Sequence, residues 1–225
     1  MAAPLTLAMP KGRVLDEAIA LFALADYDLS PMKDGSRRLA FELPKAGLRV
    51  LVVRDADIPT YVEWGAADLG IAGSDQLLEH DRDLYEPLDL GIGKCRMAVA
   101  EPEETTATGV RRAMPRYGTK FPRTTERWLE ERGLVADVIR LSGSVELGPL
   151  VGLCDRIVDI VSTGETLRQH GLSEIETLFQ VSARLVVNRA AMKLRGDEVR
   201  GLVSRLTRVV PPVRAASPKA IQRAF

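Results

Sequence analysis

The sequence predicts an α/β fold whose strands pair mostly in parallel. Three observations predict it. Apolar runs of strand length alternate along the chain with segments of helical periodicity, as in βαβ units. The run Ile157-Val158-Asp159-Ile160-Val161 is β-branched at every apolar position, which suits a strand covered on both faces. A pattern also recurs: Gly65-Ala66-Ala67-Asp68, an apolar run and Gly73-Ser74-Asp75 parallel Gly152-Leu153-Cys154-Asp155, an apolar run and Gly164-Glu165. Each copy reads as helix end, strand, glycine turn and new helix. Two readings of the echo stand: chance recurrence of a common unit, or two similar lobes that each present a helix start to one cleft.

Residues 5–9 predict a short strand, followed by the turn Pro10-Lys11-Gly12-Arg13 and a helix with Leu15, Ala18, Ile19 and Phe22 on one face. Residues 39–43 and 48–53 predict two strands joined by a turn that holds Pro44 and Gly47. Pro59 opens a helix that runs through Trp64 and stops at Gly65. A strand over 69–72 leads into a helix beginning Ser74-Asp75-Gln76-Leu77-Leu78. Further strands are expected over 97–100, 116–120 and 138–141, with a helix from Pro122 to Gly133 before the last of them. From Arg208 onward there are four basic residues, three prolines and no acidic residue. That end reads as frayed, with docking onto a partner as the alternative.

Composition narrows the classes. With 225 residues, one large domain or two small ones can form with ample core. Basic and acidic residues balance at 31 each, so no global field attracts nucleic acid. Cys95 and Cys154, with only His80 and His170 for company, have neither zinc-site spacing nor a disulfide framework, and a reducing compartment fits. The longest apolar stretch, residues 18–25, falls well short of the ~20 residues a spanning helix needs. A basic leader segment is also lacking, so a cytoplasmic protein is expected.

The richest chemistry lies at residues 156–167. After the strand, Ser162, Thr163 and Gly164 offer hydroxyls and close backbone approach where a helix begins. Free N–H groups there suit a phosphate, and Asp159 is a carboxylate placed for sugar hydroxyls or a metal. The same unit with a Ser or Thr cap also occurs without any ligand throughout α/β proteins. His80 and His170 read as surface residues, and Trp64 and Trp128 as packing residues on apolar helix faces.

The run from Gly143 to Leu167 resembles the signature of the ATP phosphoribosyltransferase family, the enzymes that open histidine biosynthesis. The pattern's elements stand here as Glu146, Gly152, Asp159 and Thr163-Gly164-Glu165-Thr166-Leu167. Cys154 occupies a position where the family usually has Ala, Ser or Gly. Lys11-Gly12-Arg13, Arg54-Asp55-Ala56-Asp57-Ile58-Pro59 and Asp68-Leu69-Gly70-Ile71 agree with it, so the resemblance spans roughly residues 5–205.

That resemblance implies a bilobal fold like type II periplasmic binding proteins, with a cleft between two α/β lobes. The first lobe would comprise residues 1–92 with 184–225, and the second 93–183. The implied reaction moves the 5-phosphoribosyl group from phosphoribosyl pyrophosphate to N1 of ATP, releasing pyrophosphate. Ser162, Thr163, Gly164, Glu165 and Thr166 would hold the 5-phosphate, Asp159 would face the ribose, and Glu146 would contact ribose or magnesium. Lys11, Gly12, Arg13 and Gly73 would meet nucleotide or pyrophosphate. Arg54, whose bland role is an ion pair with Asp55 or Asp57, would aim its planar fork at pyrophosphate. Arg38 is a weaker candidate for the same task, acting across a subunit boundary. Mg2+ would ride on the substrate, with no protein-built metal site. The length fits the short form of the family, which implies a dimer within a hetero-oligomer and a regulatory subunit resembling histidyl-tRNA synthetase. Two rivals are weighed against it: a non-catalytic bilobal binding module, and a phosphoribosyltransferase using another base. The second usually carries paired acidic residues before its phosphate loop, where Asp159 stands alone.

Overall fold

The computed structural model describes residues 3–33, 37–103 and 114–210. In chain order the elements begin with β1 (Leu5–Met9), α1 (Arg13–Leu24), β2 (Ala40–Leu43), β3 (Leu48–Val52) and α2 (Ile58–Glu63). β4 (Leu69–Gly73), α3 (Ser74–His80), β5 (Tyr85–Asp89), β6 (Cys95–Pro102), β7 (Arg116–Thr119) and α4 (Pro122–Glu131) follow. Next come β8 (Asp137–Arg140), α5 (Leu147–Leu150), β9 (Arg156–Val161) and α6 (Glu165–Gln169). β10 (Leu172–Val181), β11 (Ala183–Val187), α7 (Arg189–Leu194) and α8 (Gly196–Val209) complete the described fold. The basic, proline-containing end from residue 211 lies outside the described residues.

The chain divides into two α/β units, passing from the first to the second after Gly93 and back after Val181. The first unit holds a six-stranded sheet in the order β2-β3-β1-β4-β11-β5. Strand alternation splits its core: Leu7, Met9, Val50 and Ile71 pack with Phe22 and Leu202 on one face, while Ala8 and Ala72 meet Ile58 and Val62 on the other. The second unit holds a five-stranded sheet in the order β10-β6-β9-β7-β8. Here Val158 of β9 packs with Tyr117 and Trp128, whereas Ile157 and Val161 pack with Cys154 and Leu167. β9 is thus covered on both faces, as its β-branched composition predicts.

Mostly parallel pairing is not what forms. Among the described residues β1 runs parallel to β3 and β4, and β7 to β8 and β9. The other neighbours are antiparallel: β2 with β3, β11 with β4 and β5, and β6 with β9 and β10. Two causes account for this. The short turn Pro44–Ala46, with Gly47 at φ +65°, closes β2 and β3 into a hairpin. The strands flanking the crossings, β6, β10 and β11, enter each sheet against the direction of their neighbours.

Trp64 also departs from expectation, standing 79% exposed. It follows the last helical residue of α2, where Gly65 turns the chain at φ +73°, so it leaves the apolar face that Ile58 and Val62 occupy. Trp128 is buried as expected, edge-on to Tyr117 at 6.1 Å. His80 and His170 are half-buried rather than exposed, and His170 Nδ1 lies 2.8 Å from the Thr166 carbonyl oxygen.

Candidate active site

In each unit the chemistry-bearing residues gather at the carboxyl edge of the parallel strands, where open α/β sheets leave a crevice for ligands. In the first unit, β3, β1 and β4 are consecutive neighbours. Arg54 follows β3, Lys11-Gly12-Arg13 follows β1, and Gly73 ends β4. Gly12 takes φ +75° as the N-cap of α1, a backbone state open to glycine at little cost. Lys11, Arg13, Arg38 and Arg54 are all exposed. Arg13 Nη1 pairs with Glu17 Oε1 at 3.0 Å, and Glu17 Oε2 also accepts the Gly93 N–H at 2.7 Å. Among the described residues Arg54 pairs with no carboxylate, so the local ion pair with Asp55 or Asp57 does not form.

Gly73 leaves the space that its neighbour Asp75 occupies. A Cβ on Gly73 would sit 2.1 Å from Asp75 Oδ1. The Asp75 carboxylate is folded over that glycine, is only 3% exposed, and accepts from Gln76 Nε2 at 3.0 Å. Burial pushes its pKa up to about 6, against the pull of its hydrogen bonds. Its burial is a feature that the sequence does not announce.

In the second unit, β8, β7 and β9 are likewise parallel neighbours. Thr119, fully buried, donates its hydroxyl to the Val158 carbonyl at 2.7 Å and accepts the Phe121 N–H at 2.9 Å. These bonds fix the end of β7 on either side of Lys120. Lys120 Nζ then stands 3.8 Å from Asp159 Oδ2, while Asp159 Oδ1 accepts the Ile160 N–H at 2.8 Å. Burial raises the Asp159 pKa, Lys120 opposes that rise, and Glu146 adds to it. Glu146 is half-buried at the start of α5, after a turn in which Ser144 holds φ +45°. Lys120 carries no signal of its own in the sequence, because only strand register brings it beside Asp159.

The turn after β9 is open. Gly164 adopts φ +80°, Thr163 Oγ1 accepts the Glu165 N–H at 3.3 Å, and the Ser162 carbonyl accepts from Arg96 Nη1 at 3.1 Å. Among the described residues the Ser162 and Thr166 hydroxyls have no partner. Both residues are exposed. The Glu165 side chain is taken up by Arg168 and Gln169 along α6, so its backbone rather than its carboxylate belongs to the turn.

The sequence's departure at Cys154 has a structural counterpart. A Cβ on Gly118 or Gly148 would meet Cys154 Sγ at 2.8 or 2.6 Å. The buried thiol thus fills space left by two glycines, one on β7 and one on α5, next to Glu146.

Two α/β units, each with its own sheet, give the chain the fold of a periplasmic binding protein. The fold is shared with the periplasmic aliphatic sulphonate binding protein SsuA of Escherichia coli, at a TM-score of 0.57 and 13% identity over 100% of this chain and 78% of that one. The family model described as HisG, ATP phosphoribosyltransferase, matches residues 54–208. ATP phosphoribosyltransferase of Citrifermentans bemidjiense is 47% identical over 90% of this chain and 96% of its own length. That of Acidithiobacillus ferrooxidans is 49% identical over 94% and 100%. A chain of the ATP phosphoribosyl transferase (HisG:HisZ) complex from Thermotoga maritima superposes at a TM-score of 0.77, with 32% identity over 92% of this chain and 97% of that one. The chain belongs to the ATP phosphoribosyltransferase family, and its activity is that family's transferase reaction, the first step of histidine biosynthesis.

Proposed function

We propose that the turn from Ser162 to Thr166 holds the 5-phosphate of phosphoribosyl pyrophosphate, with Asp159 against the ribose. The observation that carries this reading is the pair of unpartnered hydroxyls, Ser162 and Thr166, flanking a left-handed Gly164 directly after the strand that bears Asp159. The reaction breaks the C1–O bond to pyrophosphate and forms a C1–N bond to N1 of ATP. The attacking nitrogen already has a lone pair, so no strong general base is needed. Catalysis is then positioning of two polyanions and stabilisation of charge as it develops. Lys120 favours the ionised form of Asp159 beside a ribose that gains cationic character, against the burial that favours its proton. Lys11, Gly12, Arg13, Arg54 and Gly73 supply the first unit's contacts to nucleotide or pyrophosphate, with Arg38 as an accessory cation.

Mg2+ bound to the substrate's pyrophosphate would supply charge neutralisation to the leaving group. Magnesium held mainly by phosphates takes one or two protein carboxylates, which Asp159 and Glu146 offer. Among the described residues no three His, Cys, Asp or Glu side chains gather to hold a metal.

The likeness to a chain of a HisG:HisZ complex supports a short-form catalytic subunit, paired in a dimer and assembled with a regulatory subunit resembling histidyl-tRNA synthetase. The biosynthetic role supports a cytoplasmic location. Among the described residues no helix is long and apolar enough to cross a membrane.

The reading is tested by Thr166→Val. It should raise KM for phosphoribosyl pyrophosphate about tenfold and leave KM for ATP unchanged, because one hydroxyl donor to a charged phosphate is lost. An equal rise in both constants would remove the turn from the phosphate.

A further inference from the structure

The first turn of chain after β9 is held from outside by Arg96. In the register of β6 and β9, Arg96 lies directly opposite Val161, one residue before the turn. Its guanidinium divides its donors. Nε and Nη2 grip the Glu174 carboxylate on β10 at 2.6–2.9 Å, and Nη1 donates to the Ser162 carbonyl at 3.1 Å. Glu174 is fixed in turn, because its Oε1 accepts from Thr177 Oγ1 at 2.6 Å. Arg96, Ala98 and Ala100 alternate on one face of β6, where the two alanines are buried with Leu167 of α6. The fork thus spans the sheet edge from β10 to the turn.

We infer that Arg96 is a positioning residue for phosphoribosyl pyrophosphate, acting through the Ser162–Thr163 peptide without touching the substrate. The inference rests on the reading of Ser162 to Thr166 as the 5-phosphate site. In a trans peptide the C=O and N–H point in opposite directions. Holding the Ser162 carbonyl toward Arg96 therefore aims the Thr163 N–H away from it, as a fixed donor in the turn. Without the guanidinium that peptide plane is free to rotate, and the donor must be ordered afresh at each binding event. The charge of Arg96 is already matched by Glu174, so its contribution is orientation rather than direct attraction of the phosphate. A charge-assisted bond of this kind, held by a bidentate pair, is among the stronger polar contacts available at a half-exposed edge.

Calorimetry with phosphoribosyl pyrophosphate and with ATP tests this on Arg96→Ala and on Arg96→Met, the latter keeping the stem's packing. Both variants should bind phosphoribosyl pyrophosphate about tenfold more weakly and ATP as before. In steady state KM for phosphoribosyl pyrophosphate should rise by that factor while kcat stays within about twofold. Arg96→Lys, which lacks the fork, should recover only part of the loss. Glu174→Ala should weaken binding less than Arg96→Ala, and the double variant no more than Arg96→Ala alone, because Glu174 acts through the arginine.

Four results would overturn the inference. Tighter binding in Glu174→Gln would make Arg96 itself an anion ligand. An equal loss for both substrates with a lowered Tm would make it merely structural. Full affinity in folded Arg96 variants, with affinity lost in Gly164→Val, would reject the arginine's role and leave the turn assignment standing. Full affinity in all of these variants would instead reject the turn assignment on which the inference rests.

Discussion

Lys120, the residue after β7, faces Asp159 of the adjacent parallel strand β9, with Nζ 3.8 Å from Oδ2, at the edge where the turn from Ser162 to Thr166 begins. The pair sets a half-buried carboxylate against an exposed lysine. Burial drives the Asp159 pKa up and Lys120 draws it down. Lys120→Met should therefore raise that pKa and leave more of the carboxyl protonated at any given acid pH. The acid limb of kcat/KM should move to higher pH and recover at alkaline pH. At a fixed pH on that limb, kcat/KM should fall about tenfold for every pH unit the limb moves. Lys120→Arg should keep the limb near its original place. A loss by the same factor at every pH would show that Lys120 does not act through Asp159.

Asp75 supplies a second pH dependence, one of stability. Its pKa rises from 3.8 to about 6 on folding, so the native state holds this proton more tightly than the unfolded chain does. The stabilisation from protonated Asp75 is complete below the unfolded pKa and is lost as pH rises through about 6. Relative to Asp75→Asn, the parent protein should lose about 2–3 kcal/mol between pH 4 and pH 6.5 in urea unfolding. Parallel stability profiles for the two proteins would contradict this account of the buried carboxyl.

Cys154 and the glycines around it form a packed unit. Gly148→Ala should destabilise by about 1–3 kcal/mol, because its methyl would fall 2.6 Å from Cys154 Sγ. Cys154→Gly should relieve that cost in the double variant, giving strong non-additivity in denaturant unfolding. Additive effects would show that the thiol is not what excludes a methyl there.

Arg54, exposed and without a carboxylate partner among the described residues, should serve departing pyrophosphate. Arg54→Ala should lower kcat more than it weakens substrate binding, by about tenfold or more, with Lys only partly restoring turnover. Normal turnover in the alanine variant would return Arg54 to the surface.

What the sequence revealed depended on how locally each feature is encoded. The strand of Ile157, Val158 and Val161 and the turn at Gly164 are legible because β-branching and a left-handed glycine act within a few residues. Strand direction is not, since alternation is identical for parallel and antiparallel neighbours. β10 is not legible because polar Glu174, Glu176 and Thr177 interrupt its apolar positions. Trp64 departs from its apolar neighbours because one residue past a helix end is enough to leave the buried face. Lys120, Arg96 and Asp75 became visible only when register and burial placed them beside Asp159, Ser162 and Gly73.

The central claim is that the turn after β9 binds the 5-phosphate, and Gly164 is its most exacting position. Its φ of +80° favours glycine, and a β-branched side chain there must strain the turn or block the approach of a phosphate. Calorimetric titration of Gly164→Val with phosphoribosyl pyrophosphate, on protein whose circular dichroism matches the parent, is the most direct measurement. The account predicts affinity at least about tenfold weaker, with ATP binding retained. Unchanged affinity for phosphoribosyl pyrophosphate in that folded variant would contradict it.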